Sequence, residues 1–177
     1  EQQLKLTNGY SRYDNITGVY LEAGENVVLV GDLHGRTVGL LIPDWMRQPT
    51  LGYQPTKDPE GWGVKKQEIL LHEGANVINV KKAGNVYVDY FADDPDTAPA
   101  VTIHFVTGKV NGYFDATVQS NEDWNRLLDN AVSPVMDLKG KYIQLAYPVE
   151  QLKKLAYGKG KELAENYDKI MQVQYDF

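Results

Sequence analysis

Cysteine is absent from the 177 residues, which removes disulfides, thiolate metal sites and cysteine nucleophiles together. The absence sets no compartment, because cysteine-free chains occur among bacterial secreted proteins as well as inside cells. Long apolar runs are also missing: none approaches the roughly 20 residues of a membrane-spanning helix. Lys and Arg form no dense stripe, and the formal net charge is -6. Nucleic acid is therefore excluded as an expected partner, since such binding begins with phosphate neutralisation. Serine is scarce, and none of Ser11, Ser120 and Ser133 stands in a G-x-S-x-G elbow. Glu1 begins the chain with no charged-then-apolar leader, as expected of a processed or excised product.

What is present reads as a globular domain. Charged residues make up 24% and apolar residues 42%, proportions that support a packed core and not disorder. Two segments share the pattern L-x-x-G-x-N-V-x-x-V: Leu21 to Val30 and Leu71 to Val80. In each, a Gly suited to a positive-φ turn precedes β-branched residues of strand propensity. The match admits either an internal duplication or the chance recurrence of a turn-plus-strand pattern. Further strands are predicted over 38–42, 86–91, 101–106 and 142–146. Val86 to Phe91 is strand-favouring almost throughout, as for a strand covered on both faces. Ser120 to Asp123 reads as a capping box, with Trp124, Leu127 and Leu128 on one helical face after it. Pro148 is placed to open a second helix that stops near Gly158 and Gly160. A third helix is predicted from Lys161 onward, with no stop signal before Phe177, so the polypeptide is expected to continue. The fold class is mostly β (α+β), an antiparallel β-sandwich followed by C-terminal helices. The expected division is a sandwich over 1–118 and a mainly helical segment over 119–177 with one strand near 142–146.

Candidate chemistry is sparse. His72-Glu73 begins like the zinc motif H-E-x-x-H, but Asn76 fills the second histidine position and Gly74 belongs to a turn. His34 and His104 complete the histidines without ligand spacing. Gly158-Lys159-Gly160-Lys161 lacks both the upstream Gly and the following Ser/Thr of a phosphate loop. Asp93, Asp94 and Asp96 crowd one turn without an EF-hand ligand run, so a solvated acidic turn is expected in place of a Ca²⁺ site. No catalytic and no metal-binding residue is assigned. The long Pro/Gly-rich stretch 44–66 carries Trp45, Tyr53 and Trp62, three candidate ligand-contacting rings or, equally, plugs for one end of the sandwich.

An ordered set of segments resembles the enhancin-like zinc metallopeptidases, peptidase family M60. It comprises Arg12-Tyr13-Asp14-Asn15, Thr17 to Tyr20, Ala23-Gly24-Glu25, Ile42-Pro43-Asp44-Trp45, Val86 to Phe91, Val101 to Phe105, Gly108 to Asp115, Asp123-Trp124 and Val135 to Tyr142. The likeness runs from Arg12 to Phe177. It implies the non-catalytic N-terminal part of a secreted or cell-surface bacterial enzyme that acts on mucin-like glycoproteins. In that family an H-E-x-x-H helix and a downstream Glu hold zinc. No position here matches those elements, so the resemblance implies no cofactor in this chain and zinc in an absent catalytic half. The implied partners are the remainder of the polypeptide and a glycoprotein or glycan. Two other readings remain: a stand-alone carbohydrate- or protein-binding sandwich module, which predicts a polar finish to the last helix, and an enzyme using dispersed carboxylates.

Overall fold

The computed structural model describes residues 15–47, 65–92, 94 and 96–176. Strands come first: β1 (Ile16–Leu21), β2 (Gly24–Val30), β3 (Gly39–Pro43), β4 (Lys66–Leu70), β5 (Gly74–Val80), β6 (Gly84–Asp89), β7 (Ile103–Phe105), β8 (Lys109–Val110) and β9 (Phe114–Asp115). After them come α1 (Asn121–Asp129), β10 (Val135–Lys139), β11 (Gln144–Pro148), α2 (Val149–Leu155) and α3 (Gly160–Tyr175). The expected class is the observed one, mostly antiparallel sheets with C-terminal helices, β9 and β10 alone pairing parallel among the described strands.

One sheet has the order β4-β3-β6-β1-β8 and a second the order β5-β2-β7. Leu21, Val28, Val30, Leu40, Ile78, Val80 and Val86 from both sheets meet in a single core, which makes the pair a sandwich. The alternation of Val28 and Val30 inward with Leu29 outward is the period-2 pattern of a half-covered strand. β3 is buried at every position, and β6 at its first four, because the face turned away from the sandwich is covered as well. Leu41 pairs with Tyr87 across β3 and β6, and both are fully buried.

The sequence repeat has a geometric counterpart. β2 and β5 pair antiparallel along their whole length with Val27 opposite Val77, the equivalent positions of the two repeats. A local two-fold axis thus passes between them. It also exchanges β1 with β4 and β3 with β6, so β4-β3-β6-β1 reads the same from either end. Within either half no two strands pair; β1 pairs β6, β2 pairs β5, and β3 pairs both β4 and β6. Only β7 and β8 break the symmetry, by flanking β2 and β1. The shared Asn explains the motif. Asn26 Nδ2 donates to the carbonyls of Glu22 and Gly24, at 2.9 and 3.1 Å. Asn76 Nδ2 does the same to His72 and Gly74, at 2.7 and 3.2 Å. Each buried amide locks a turn whose Gly lies at φ 111° or 86°, a region that favours glycine.

A second core forms where the chain leaves β8. Phe114, Trp124, Leu128, Met136, Leu138, Leu152, Ala156 and Ala164 pack together under a three-stranded sheet, β11-β10-β9. The capping box at Ser120 is formed, with Ser120 and Asp123 each bonding the other's backbone N–H. α2 begins after Pro148, and α3 begins at Gly160 against Trp124. The sequence reading has one strand near 142–146; the structure has β11 at Gln144–Pro148 and adds β10, paired to it in register from Val135↔Pro148 to Lys139↔Gln144.

Candidate functional site

The two cores meet along a buried polar seam. Asn85 and Tyr87 sit at alternate positions of β6 and so point to one side of their sheet, while Val86 points into the sandwich. On the facing side, β10 carries a single acid in an apolar run, Asp137, almost wholly buried. Tyr87 Oη donates to one carboxylate oxygen of Asp137, and Asn85 Nδ2 donates to the other at 2.9 Å. Asn85 Nδ2 also reaches the Val135 carbonyl at 3.1 Å. Its Oδ1 is buried and has no hydrogen-bond partner.

Asn111 closes the seam from the β8 side. Its Oδ1 accepts from the backbone N–H groups of Val132 and Ser133 at 3.0 and 2.9 Å, which holds the approach to β10 in place. Burial pushes the Asp137 carboxyl up to about 6, although the bonds from Tyr87 and Asn85 act to lower it. Burial, and then the neighbouring Asp137 charge, raise the Tyr87 phenol well above its ordinary value.

Trp45, one of the three candidate ligand-contacting rings, belongs to this seam. It is half-buried, and its Nε1 donates to Tyr87 Oη at 3.0 Å. The two rings meet edge-on, 6.2 Å apart and 84° inclined. Trp45 is thus part plug, as the core reading holds, and part wall. A cleft of about 270 Å³ opens beside it, lined by Tyr20, Trp45, Met46, Asn85, Ser133 and Pro134 among others, with the Lys82–Asp44 ion pair also on its wall. Tyr53 and Trp62 lie outside the described residues.

The remaining candidates resolve into local structure. Glu73 accepts from the Leu33 backbone N–H at 2.9 Å, and the His72 N–H donates to Asn76 Oδ1 at 3.0 Å, so His72-Glu73 is a turn. His34 sits at φ 54° with its N–H on Asp32. His104 lies exposed on β7. Asp94 is occupied by Asp96 N–H and the Thr97 hydroxyl. Among the described residues no group of three His, Cys, Asp or Glu is placed to hold a metal ion. No helix there is long and apolar enough to cross a membrane.

Several large apolar side chains of α2 and α3 are exposed. Leu155 is 73% exposed, Val173 59% and Ile170 53%, and Tyr142 and Tyr157 are exposed near by in sequence. Tyr147 and Tyr167 share a hydroxyl–hydroxyl bond of 2.7 Å that ties β11 to α3.

Asp137, Asn85, Tyr87 and Asn111 have no motif that marks them as a group. The one legible signal is an acid inside the strand Val135-Met136-Asp137-Leu138, where burial demands partners.

Comparison with known proteins gives these residues a context. Residues 109–177 match the family model described as Peptidase M60, enhancin and enhancin-like. A metallopeptidase from Bacteroides thetaiotaomicron superposes with TM-score 0.76 at 24% identity, over 94% of this chain and 28% of its own. A metallopeptidase in complex with Tn antigen gives 0.75 at 24% identity, over 94% and 30%. The M60 catalytic domain of Clostridium perfringens ZmpC, in complex with the sialyl T antigen, gives 0.66 at 16% identity, over 92% and 35%. At these identities the likeness is one of fold, and the chain spans about a third or less of each structure. No curated protein matches.

Proposed function

We propose that this chain, whose residues 109–177 match the enhancin-like M60 family model and whose fold recurs in metallopeptidases, is a non-catalytic leading segment of a secreted or cell-surface bacterial zinc metallopeptidase. It scaffolds the catalytic half and offers surface to a mucin-like glycoprotein. The observation that carries this reading is the coverage: 94% of this chain superposes on a metallopeptidase while spanning 28% of it. The described residues do not fit a zinc site. The histidines are dispersed over two turns and a strand, and the sequence contains no H-E-x-x-H. Zinc and the peptidase chemistry are therefore assigned to the remainder of the protein.

One feature supports the scaffold role. The exposed apolar residues of α2 and α3 are of the kind that mark an interaction site. A stand-alone binding module would present a polar finish there. The cleft beside Trp45 favours a subsidiary reading, a glycan contact made by an aromatic wall. Reading the coding sequence beyond Phe177 is the direct test. An H-E-x-x-H followed by a Glu is expected, and a stop codon there overturns the peptidase reading. Glycan-array binding by the 177-residue chain, lost in Trp45→Ala, is the outcome expected of the subsidiary reading.

A further inference from the structure

We propose that Asp137 and Asn85 form a proton-dependent switch in the hydrogen bonding that joins the sandwich to the second core. The carboxylate is buried at the junction, and among the described residues no Lys, Arg or His bonds or pairs with it. Around it, β6 presents Tyr87 and Asn85, Trp45 stands behind Tyr87, and β11 places Ala146 opposite. The cations of the flanking elements are already engaged, Lys82 with Asp44 and Lys139 with Asp115. A buried carboxylate without a counter-ion is costly, and taking up a proton removes that cost.

The proton creates a new donor that needs an acceptor. Tyr87 Oη already accepts from Trp45 and donates to Asp137. Asn85 Oδ1 is the spare acceptor of the seam. A half-turn of the Asn85 amide exchanges Nδ2 for Oδ1, so that the carboxyl O–H of Asp137 donates to it. That turn gives up the 3.1 Å bond to the Val135 carbonyl, which keeps a 3.4 Å contact with Asn111 Nδ2. Both Nδ2 bonds, to Asp137 and to the Val135 carbonyl, are given up for one from the Asp137 O–H, so the turned arrangement holds only while Asp137 carries the proton.

The sign follows from linkage. A carboxyl raised to about 6 in the fold binds its proton more tightly there than in the unfolded chain. Stability therefore rises as pH falls through 6 and is fully gained below the unfolded value near 3.8. Between pH 7 and pH 5 the folding equilibrium constant grows about tenfold from this group alone.

Nuclear magnetic resonance of the 177-residue chain tests the switch by following Asp137 Cγ and the Asn85 side-chain amide from about pH 8 to pH 4. A shared midpoint near 6 is expected. Asp137→Asn, which mimics the protonated carboxyl, is expected to fold and to lose the tenfold change. A Cγ midpoint at the ordinary carboxyl value overturns the proposal, and so does an Asn85 amide that ignores the Asp137 titration. The second result separates a switch from a merely buried acid. Should the variant not fold, the wild-type titration decides alone.

Discussion

An alanine at position 160 would carry its Cβ 2.5 Å from Trp124 Cγ. In most helices Gly→Ala stabilises by about 1 kcal/mol. Here the methyl meets an indole that is fully buried and tied by Nε1 to the Ala156 carbonyl at 2.8 Å. Overpacking of this kind costs roughly 1–3 kcal/mol, so Gly160→Ala should lower the urea midpoint instead of raising it. Asp168 lies about two turns further along α3. Its two oxygens accept from the backbone N–H groups of Lys141 and Tyr142 at 2.9 and 2.8 Å. A Cβ at Gly140 would fall 2.7 Å from that carboxylate. Asp168→Ala leaves both amides without this acceptor and should cost about 1–2 kcal/mol in denaturant unfolding.

At the scale of elements, the best-read pieces are those whose signals are local. The capping box at Ser120 needs only the Ser and Asp123, and Ser120→Ala should destabilise by about 1 kcal/mol in thermal unfolding. The Asp123 carboxyl is held low by the Ser120 backbone and hydroxyl bonds. This contribution is present above the ordinary carboxyl range and is lost as pH falls through the lowered value. The L-x-x-G-x-N turns were legible because Gly and Asn act within a few residues of one another.

β4 was not legible. Lys66-Gln67-Glu68 carries the composition of a surface segment, and its strand identity comes from pairing with β3, which no local pattern records. β10 carries no local strand signal, because Asp137 breaks the apolar run that marks a buried strand. The seam was illegible for the same reason: Asn85 and Asp137 are 52 residues apart, and nothing in either segment names the other. Trp45 could be read as a candidate ring, but its share between plug and wall depended on Tyr87.

The described residues form two cores, with Ile170 and Val173 exposed on α3. Replacing both residues by Glu should leave urea unfolding within about 0.5 kcal/mol, since exposed positions contribute little to stability. The same pair should weaken association with a separately produced catalytic half, measured by titration calorimetry. Unchanged association would remove the docking role from this face.

The interlocked halves of the sandwich have a consequence for synthesis on the ribosome. β1, β2 and β3 emerge first and have no ladder to form among themselves, because their partners are β4, β5, β6, β7 and β8. The nascent first repeat must stay unpaired, with its apolar strands waiting, until the second has been translated. Folding then closes loops of about fifty residues at once, the non-local regime in which chains fold slowly.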